Sequence, residues 1–336
     1  MKTSLTDNIN NSQSIPQKRD ISLDIMKGYG MLGVFIAHTE TIPSFPYRKI
    51  FLTYCIPIFF FLGGYFYHQT VNYKKKLSKD FVRLIVPYLF TASIVIVYTI
   101  LFSYHFKMPE LLKNALIASF WGSGFSHNSY LWGSIQPIGP IWFLLALFWC
   151  RIAYNIIMTN TKYPYLVCLL VGITAVLLDY YIINLPFCIL PGLSCLVFYM
   201  IGDMCKKLEM SIPLFIVIVA CFILGVLFSH ISVTNCDYGF YPLDIICAFG
   251  STYLIYLLSK GTARVKYIGK YIEWVGVNSL IFLCFHTIDL DCSISRYFHI
   301  PRDWYILLPF QLCLYSVAVI VCHYFKITKA IFSIKK

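Results

Sequence analysis

Two ionisable residues, Lys27 and His38, lie 11 positions apart within the first long apolar run of the chain. In a helix this spacing brings both side chains to one face, about 16 Å apart along the axis. A cation near the cytoplasmic end and an imidazole in the outer half suit an anionic cytoplasmic donor whose reactive end reaches the histidine. The structural alternative is that Lys27 extends to the inner membrane interface while His38 bonds to a neighbouring helix.

A second imidazole, His286, lies at a depth similar to that of His38. It comes about 14 residues into a later apolar run, and His38 comes about 15 residues into the first. Both runs cross in the same direction, so the two rings share one level. Glu40 follows His38 by two positions, and a carboxylate beside an imidazole fixes its tautomer and raises its basicity, as a general base requires. We therefore predict His38, Glu40 and His286 as catalytic residues.

The sequence lacks the motifs of several other chemistries. It contains no G-x-S-x-G, Walker A or H-E-x-x-H pattern and no G-x-G-x-x-G after a strand, so serine hydrolysis, nucleotide hydrolysis and metal catalysis have no support. The H-x4-D spacing of His286 and Asp291 is interpreted as coincidence. The 13 cysteines form no CxxC pair. Only Cys236 and Cys292 fall in segments predicted to lie outside, where a disulfide has weak support.

The composition indicates a membrane protein. Of 336 residues, 59% are hydrophobic and only 12% are charged, whereas globular domains average about a quarter charged. This excludes a soluble globular enzyme and a disordered chain. The net charge of +12 would indicate nucleic acid in a soluble protein. Here the basic residues lie between apolar runs, where membrane orientation requires them, so we expect no nucleic-acid partner.

Long apolar runs predict an all-α, polytopic integral membrane bundle of about ten transmembrane helices. The predicted spans are 23–43, 50–69, 83–105, 138–158, 163–183, 186–205, 212–230, 242–259, 272–290 and 304–325. We expect a disordered cytoplasmic tail over 1–20, a transmembrane domain over 21–326 and a basic cytoplasmic tail over 327–336. The segment 106–137, with its amphipathic run Leu111–Trp121, is predicted to form a surface or re-entrant hairpin.

The distribution of lysine and arginine predicts the orientation. With both termini in the cytoplasm, 20 of these residues fall on the inner side and six on the outer side. That asymmetry follows the positive-inside rule. The cluster from Lys74 to Arg83 either sets this topology or binds the phosphates of a cytoplasmic donor.

Several ordered motifs resemble the acyltransferase 3 family of integral-membrane acyltransferases, which includes bacterial polysaccharide and lipopolysaccharide O-acetyltransferases. The first is an R/K-x10-H signature, from Lys27 to His38. The others are, in chain order, Ile56–Tyr65 (IPIFFFLGGY), Arg83–Tyr88 (RLIVPY), Pro140–Leu144 (PIWFL) and Gly276–Leu280 (GVNSL) followed by His286. Two positions depart from the family pattern. Gly63 stands where the second helix usually has serine, and Asp80 stands where a second arginine often precedes the third.

The resemblance implies a multi-pass protein of the plasma (inner) membrane that modifies a cell-envelope polysaccharide. Acyl-CoA, usually acetyl-CoA, would be the co-substrate, with no bound cofactor or metal, and a glycan or lipid-linked sugar would be the acceptor. His38 would be the base or a transient acyl carrier, and Lys27 and Arg83 would bind the donor. The remaining motif residues would support the site: Asp24, Trp142, Asn278 and Ser279. The oligomeric state stays open.

Two other classes of function compete with an enzyme. A transporter or export component for a polysaccharide or lipid-linked sugar would also need a polar bundle interior, although the sequence shows no internal repeat. A membrane sensor or scaffold is the third class, and the sequence offers no dedicated partner domain for it.

Overall fold

The computed structural model describes residues 20–39, 47–129, 133–182, 185–207, 212–228, 232–233, 237–301 and 303–334. Of the sequence-based predictions, the tail over 1–20 lies outside the described residues apart from Asp20. Glu40 and Cys236 also lie outside them, and so does the pairing of Cys236 with Cys292.

The described residues are almost entirely helical, which confirms the predicted all-α class. The α-helices are, in chain order, α1 Ile21–Ala37, α2 Tyr47–Cys55, α3 Pro57–Tyr65, α4 Tyr73–Asp80, α5 Val86–Phe106, α6 Pro109–Trp121, α7 Trp142–Asn160, α8 Pro164–Ile182, α9 Ile189–Ser194, α10 Leu196–Met204, α11 Ile212–Phe228, α12 Tyr241–Thr262, α13 Lys266–Val277, α14 Ser279–Cys292, α15 Ile294–Tyr297, α16 Trp304–Tyr324 and α17 Lys326–Ile331. A π-helical turn, Phe81–Ile85, joins α4 to α5. Short 3₁₀ turns occupy Gly139–Ile141, Pro186–Cys188 and Cys205–Lys207.

Four helical stretches of the described chain are long and apolar enough to cross a membrane. They are Tyr73–Phe106, Gly139–Asn160, Tyr241–Thr262 and Trp304–Tyr324. Two bent pairs raise the number to six if each is one span: Pro186–Ser194 with Leu196–Met204, bent by 44°, and Lys266–Val277 with Ser279–Cys292, bent by 75°. Shorter apolar helices occupy Ile50–Tyr65, Pro164–Asp179 and Pro213–Phe228. The protein is thus a helical membrane protein with four to six candidate spans.

The described residues of the segment 106–137 form a helix followed by two paired strands. Helix α6 ends at Gly122, whose φ of +71° is left-handed and favours glycine. The antiparallel strands β1 (His127–Ser129) and β2 (Gly133–Ile135) follow it. Ala118 and Trp121 are buried against the bundle, and α6 is not among the candidate spans.

Glycine pairs set the packing around α1, which lies against α2, α12, α13 and α14. A Cβ atom on Gly276 would overlap the carbonyl oxygen of Asp24, and one on Gly28 would overlap that of Ile272. Small residues at these positions let the backbones of α1 and α13 approach closely. The C-terminal half of α1 is thereby held beside α14, which continues from α13.

The bend between α13 and α14 occurs at Asn278. Its side-chain Nδ2 donates to the carbonyl oxygen of Trp274 at 2.8 Å, which satisfies a terminal acceptor of α13. Its own carbonyl accepts from the backbone of Ile281 at 2.9 Å and begins the next helix. The break therefore has no unpaired carbonyl at this residue, and it places the N-terminus of α14, at Ser279, inside the bundle.

Candidate active site

The rings of His38 and His286 meet edge to face, with their centroids 5.1 Å apart. His38 is the C-cap of α1, and its Nδ1 lies 2.8 Å from the carbonyl oxygen of Val34. Because a carbonyl oxygen only accepts, we assign the hydrogen to Nδ1 and the lone pair to Nε2. The equal depth predicted for the two histidines thus corresponds to a direct contact between α1 and α14.

His286 belongs to a buried chain of hydrogen bonds. The hydroxyl of Tyr315, on α16, donates to Oδ2 of Asp289 at 2.6 Å and lies 3.1 Å from Nδ1 of His286. A carboxylate only accepts, so Tyr315 directs its hydrogen at Asp289 and accepts one from His286. His286 consequently has its lone pair on Nε2, a fully buried atom with no hydrogen-bond partner among the described residues.

Asp289 is fixed by several donors besides Tyr315. The backbone N–H and hydroxyl of Ser295 lie 2.7 and 2.8 Å from Oδ1, and the side-chain amide of Gln311 donates to Oδ2 at 3.1 Å. Hydrogen bonds to a charged acceptor are stronger than neutral ones. The carboxylate therefore has a fixed orientation, which positions Tyr315 and, through it, the ring of His286.

A cavity of about 730 Å³ opens beside His38. This first cavity has the size typical of a site for a small molecule or cofactor. Its walls are mostly apolar and come from α1, α2, α3, α7 and α14, with Met31, Val34, Phe59 and Leu283 among them. Arg83, in the π-helical turn before α5, also lines it, so His38 and a donor-binding candidate share one space.

Arg83 is exposed and forms no ion pair with any described residue. Asp80, three positions earlier, is instead buried between two cations. Its Oδ1 lies 2.8 Å from the guanidinium Nη2 of Arg151, and its Oδ2 lies 3.3 Å from the ammonium of Lys76. Asp80, which stands where the family often has a second arginine, therefore joins α4 to α7. It forms no ion pair with Arg83.

Trp142 and Ser279 line the first cavity, whereas Asn278 forms the adjoining helix bend. Ser279 is the first residue of α14, and the positive end of a helix dipole favours anions. The glycine at the serine position of the second helix has a steric cause. A Cβ on Gly63 would lie 2.7 Å from Cε2 of Tyr199, so a larger residue requires that ring to move.

Lys27 lies on the same face of α1 as the residues that line the first cavity, but it is not one of them. Positions 27, 31, 34 and 38 follow helical spacing, and the last three line the wall. The ammonium of Lys27 lies 3.0 Å from Oδ1 of Asp24 and 5.4 Å from the ring centroid of Phe66. Asp24 thus positions Lys27 one helical turn beyond the cavity wall.

His38 also lines a second, smaller cavity of about 230 Å³. Most of the residues that line this second cavity are polar, whereas most of those that line the first are apolar. Its polar lining residues are His38, Asp289, Ser293, Ser295, Arg296 and Gln311. Among the described residues only His38 lines both spaces, and His286 lines neither. An exposed imidazole between two cavities of different character is suited to a transfer between two substrates.

The sequence matches the family described as "Acyltransferase domain" (Acyl_transf_3) over residues 20–326, nearly the whole chain. The chain belongs to the acyltransferase 3 family. Searches of curated proteins and of solved structures found no match to it. The resemblance drawn from the motifs is therefore confirmed, and acyltransferase 3 membership identifies the protein as a membrane acyltransferase. Residues from each of its motifs line the first cavity, among them His38, Arg83, Trp142 and Ser279.

Sequence reasoning missed Asp289, Gln311 and Tyr315. Two of them carried a signal, because Asp289 and Gln311 are polar residues within apolar helices, where such residues are functional candidates. Asp289 is also one helical turn after His286, the spacing that brings side chains to one face. Asp291, whose H-x4-D spacing was set aside as coincidence, lines neither cavity and lies against Gly139.

Proposed function

We propose that this acyltransferase transfers an acetyl group from cytoplasmic acetyl-CoA to a hydroxyl of a cell-surface or lipid-linked glycan. The observation that carries the proposal is that His38 lines two cavities at once, one lined mainly by apolar residues and the other mainly by polar residues. A two-substrate transfer needs both reacting groups at one catalytic side chain. The apolar first cavity suits the acyl end of the donor, and the polar second cavity suits a hydroxylated acceptor.

Donor binding would use the cations at the inner side. Arg83 has no ionic partner among the described residues and lines the first cavity, so its guanidinium suits a phosphate oxygen of coenzyme A. Lys27 extends the same helix face beyond the cavity wall and would bind the donor before its acyl end enters. The N-terminus of α14 at Ser279 adds a favourable field for negative charge.

His38 would act as the general base. Its Nε2 takes the proton of the acceptor hydroxyl as the oxygen attacks the thioester carbonyl carbon. The C–O ester bond forms, the C–S bond breaks, and the proton passes from His38 to the sulfur, which leaves as the thiol of coenzyme A. In the alternative course the acyl group first rests on Nε2, and label bound to the protein after an acetyl-CoA pulse without acceptor would identify it.

His286 would act as a positioning residue, because it contacts His38 but lines neither cavity. Its orientation follows from Tyr315 and Asp289. Glu40, which lies outside the described residues, would assist from the segment that follows His38.

We also propose a plasma-membrane topology of about ten spans with both termini in the cytoplasm. The support is the 20-to-6 division of lysine and arginine. This orientation assigns Arg83 to the cytoplasmic side, where acyl-CoA is available, and Arg296 to the outer side.

The test is transfer of label from acetyl-CoA carrying a radioactive acetyl group in inside-out vesicles. We expect label to enter a glycan or lipid fraction with the wild type and to fall at least about 100-fold with His38→Ala, as for loss of a general base. The matched control is His105→Ala, because His105 is exposed at the end of α5 and lines neither cavity.

Equal transfer by wild type and His38→Ala, at equal protein level, would contradict the assignment of His38. Absence of transfer with every acceptor, together with movement of labelled glycan across vesicles without acyl-CoA, would instead support the export function.

A further inference from the structure

The second cavity, between α14, α15 and α16, has the lining of a carbohydrate site. Apart from His38, its polar side chains comprise two serines, one amide, one carboxylate and one guanidinium. Sites for small molecules fix their ligands through a few placed polar groups of these kinds. A volume of about 230 Å³ equals the liquid volume of about eight waters, which suits a single sugar ring.

The carboxylate of Asp289 is already occupied within the protein. Its two oxygens accept from Ser295, Gln311 and Tyr315, so no oxygen of it is without a donor. These neutral donors satisfy the oxygens of Asp289, and the guanidinium in the second cavity belongs to Arg296. Its side chain is exposed and forms no ion pair with any residue that the structure describes.

Gln311 lines the second cavity and is held by Asp289. Its Nε2 must face Asp289, because only the amide nitrogen can donate to a carboxylate. This assignment also determines the position of its Oε1, which is buried and has no hydrogen-bond partner among the described residues. A buried acceptor without a partner carries a free-energy cost.

We propose that the second cavity is the acceptor site and that it selects a sugar bearing an anionic group, a carboxylate or a phosphate, which Arg296 binds. The proposal rests on the proposed function and names its acceptor class. In this arrangement the acidic group lies on Arg296 at the exposed side, and a ring hydroxyl faces His38. Arginine suits the task because its planar guanidinium binds carboxylate and phosphate in a bidentate manner.

The experiment compares three sugars on purified full-length protein: glucose, glucuronate and glucose 1-phosphate, at constant ionic strength. Thermal protection measures binding without turnover, and acetyl transfer in proteoliposomes measures KM and kcat. We expect either acidic sugar to bind more tightly than glucose. Arg296→Gln should weaken binding of the acidic sugar about 10- to 100-fold, as for a charge-assisted hydrogen bond, and leave binding of glucose unchanged.

The matched control is Arg264→Gln, because Arg264 is exposed at the end of α12 and lines neither cavity. Arg296→Lys should keep part of the preference, since it keeps the charge but not the fork of donors. Preference for only one of the acidic sugars would identify the anionic group.

Equal binding of all three sugars, or an unchanged preference in Arg296→Gln, would overturn the acceptor class. Acetyl transfer that still depends on His38 would then leave the proposed function intact. Conversely, Arg296-dependent protection by an acidic sugar without transfer from acetyl-CoA would contradict the enzyme and leave a site for acidic sugars.

Discussion

His286 is fully buried, and its Nε2 has no hydrogen-bond partner among the described residues, an arrangement that carries a free-energy cost. Its other nitrogen is held by Tyr315, and its ring lies against His38. The chain from Asp289 through Tyr315 therefore fixes one tautomer of His286 beside the exposed imidazole. Side chains that orient a catalytic group in this way are expected to affect turnover more than substrate binding.

Tyr315→Phe tests that chain of hydrogen bonds. It removes the one atom that joins His286 to Asp289 and keeps the ring. We expect kcat for acetyl transfer to fall about 10- to 100-fold, in the range of other orienting residues, with KM for acetyl-CoA nearly unchanged. Steady-state kinetics in proteoliposomes measure both constants.

The control for this variant is Tyr271→Phe. The hydroxyl of Tyr271 lies 3.2 Å from that of Ser316 and so joins α13 to α16, but Tyr271 lines neither cavity. A similar loss of kcat in both variants would point to a general loss of helix packing and against an orienting role for Tyr315.

At single positions, the sequence was most informative along one helix. Regular geometry gives the face and depth of a side chain, which is why Lys27, Met31, Val34 and His38 follow one line. It does not give the neighbour across a helix interface. Tyr315 lies 29 positions after His286, and only the packing of α14 against α16 brings the two together.

Among the elements, the contact of α1 with α13 depends on residues without side chains. Gly28 and Gly276 face backbone carbonyls of the opposite helix at distances that leave no room for a methyl group. This contact fixes α1 relative to the bend at Asn278, and hence His38 relative to α14. The apolar runs predicted which segments are helical, but they did not predict the 75° bend between α13 and α14. The bend depends on a local cap at Asn278, which lies inside an otherwise continuous apolar run.

Gly276→Ala should therefore separate α1 from α13. The added methyl overlaps the carbonyl of Asp24, and overpacking of this kind costs about 1–3 kcal/mol. We expect a lower melting temperature in detergent and reduced transfer. Gly261→Ala is the control, since a Cβ there meets no atom within 4 Å; that change should be neutral or slightly stabilising. An unchanged melting temperature in Gly276→Ala would contradict the close packing of the two helices.

For the whole molecule, orientation decides which substrate reaches which cavity. The positive-inside distribution predicts a cytoplasmic C-terminus after α17 and an external hairpin at β1–β2. We expect a green fluorescent protein fused to the C-terminus to fluoresce. Alkaline phosphatase inserted at Asn128 should be active, because it matures only outside the cytoplasm. A C-terminal fusion that does not fluoresce, together with an inactive phosphatase at Asn128, would indicate the opposite orientation. The assignment of the two cavities to donor and acceptor would then be exchanged.

Because one imidazole lies in the walls of both cavities, His38 is also a partition between them. Truncation to alanine removes the ring that separates the two volumes, whereas glutamine preserves most of its bulk. We expect both changes to abolish transfer, and only the smaller residue to merge the two cavities into one space. The side chain proposed to serve both substrates would thus also keep their two sites separate.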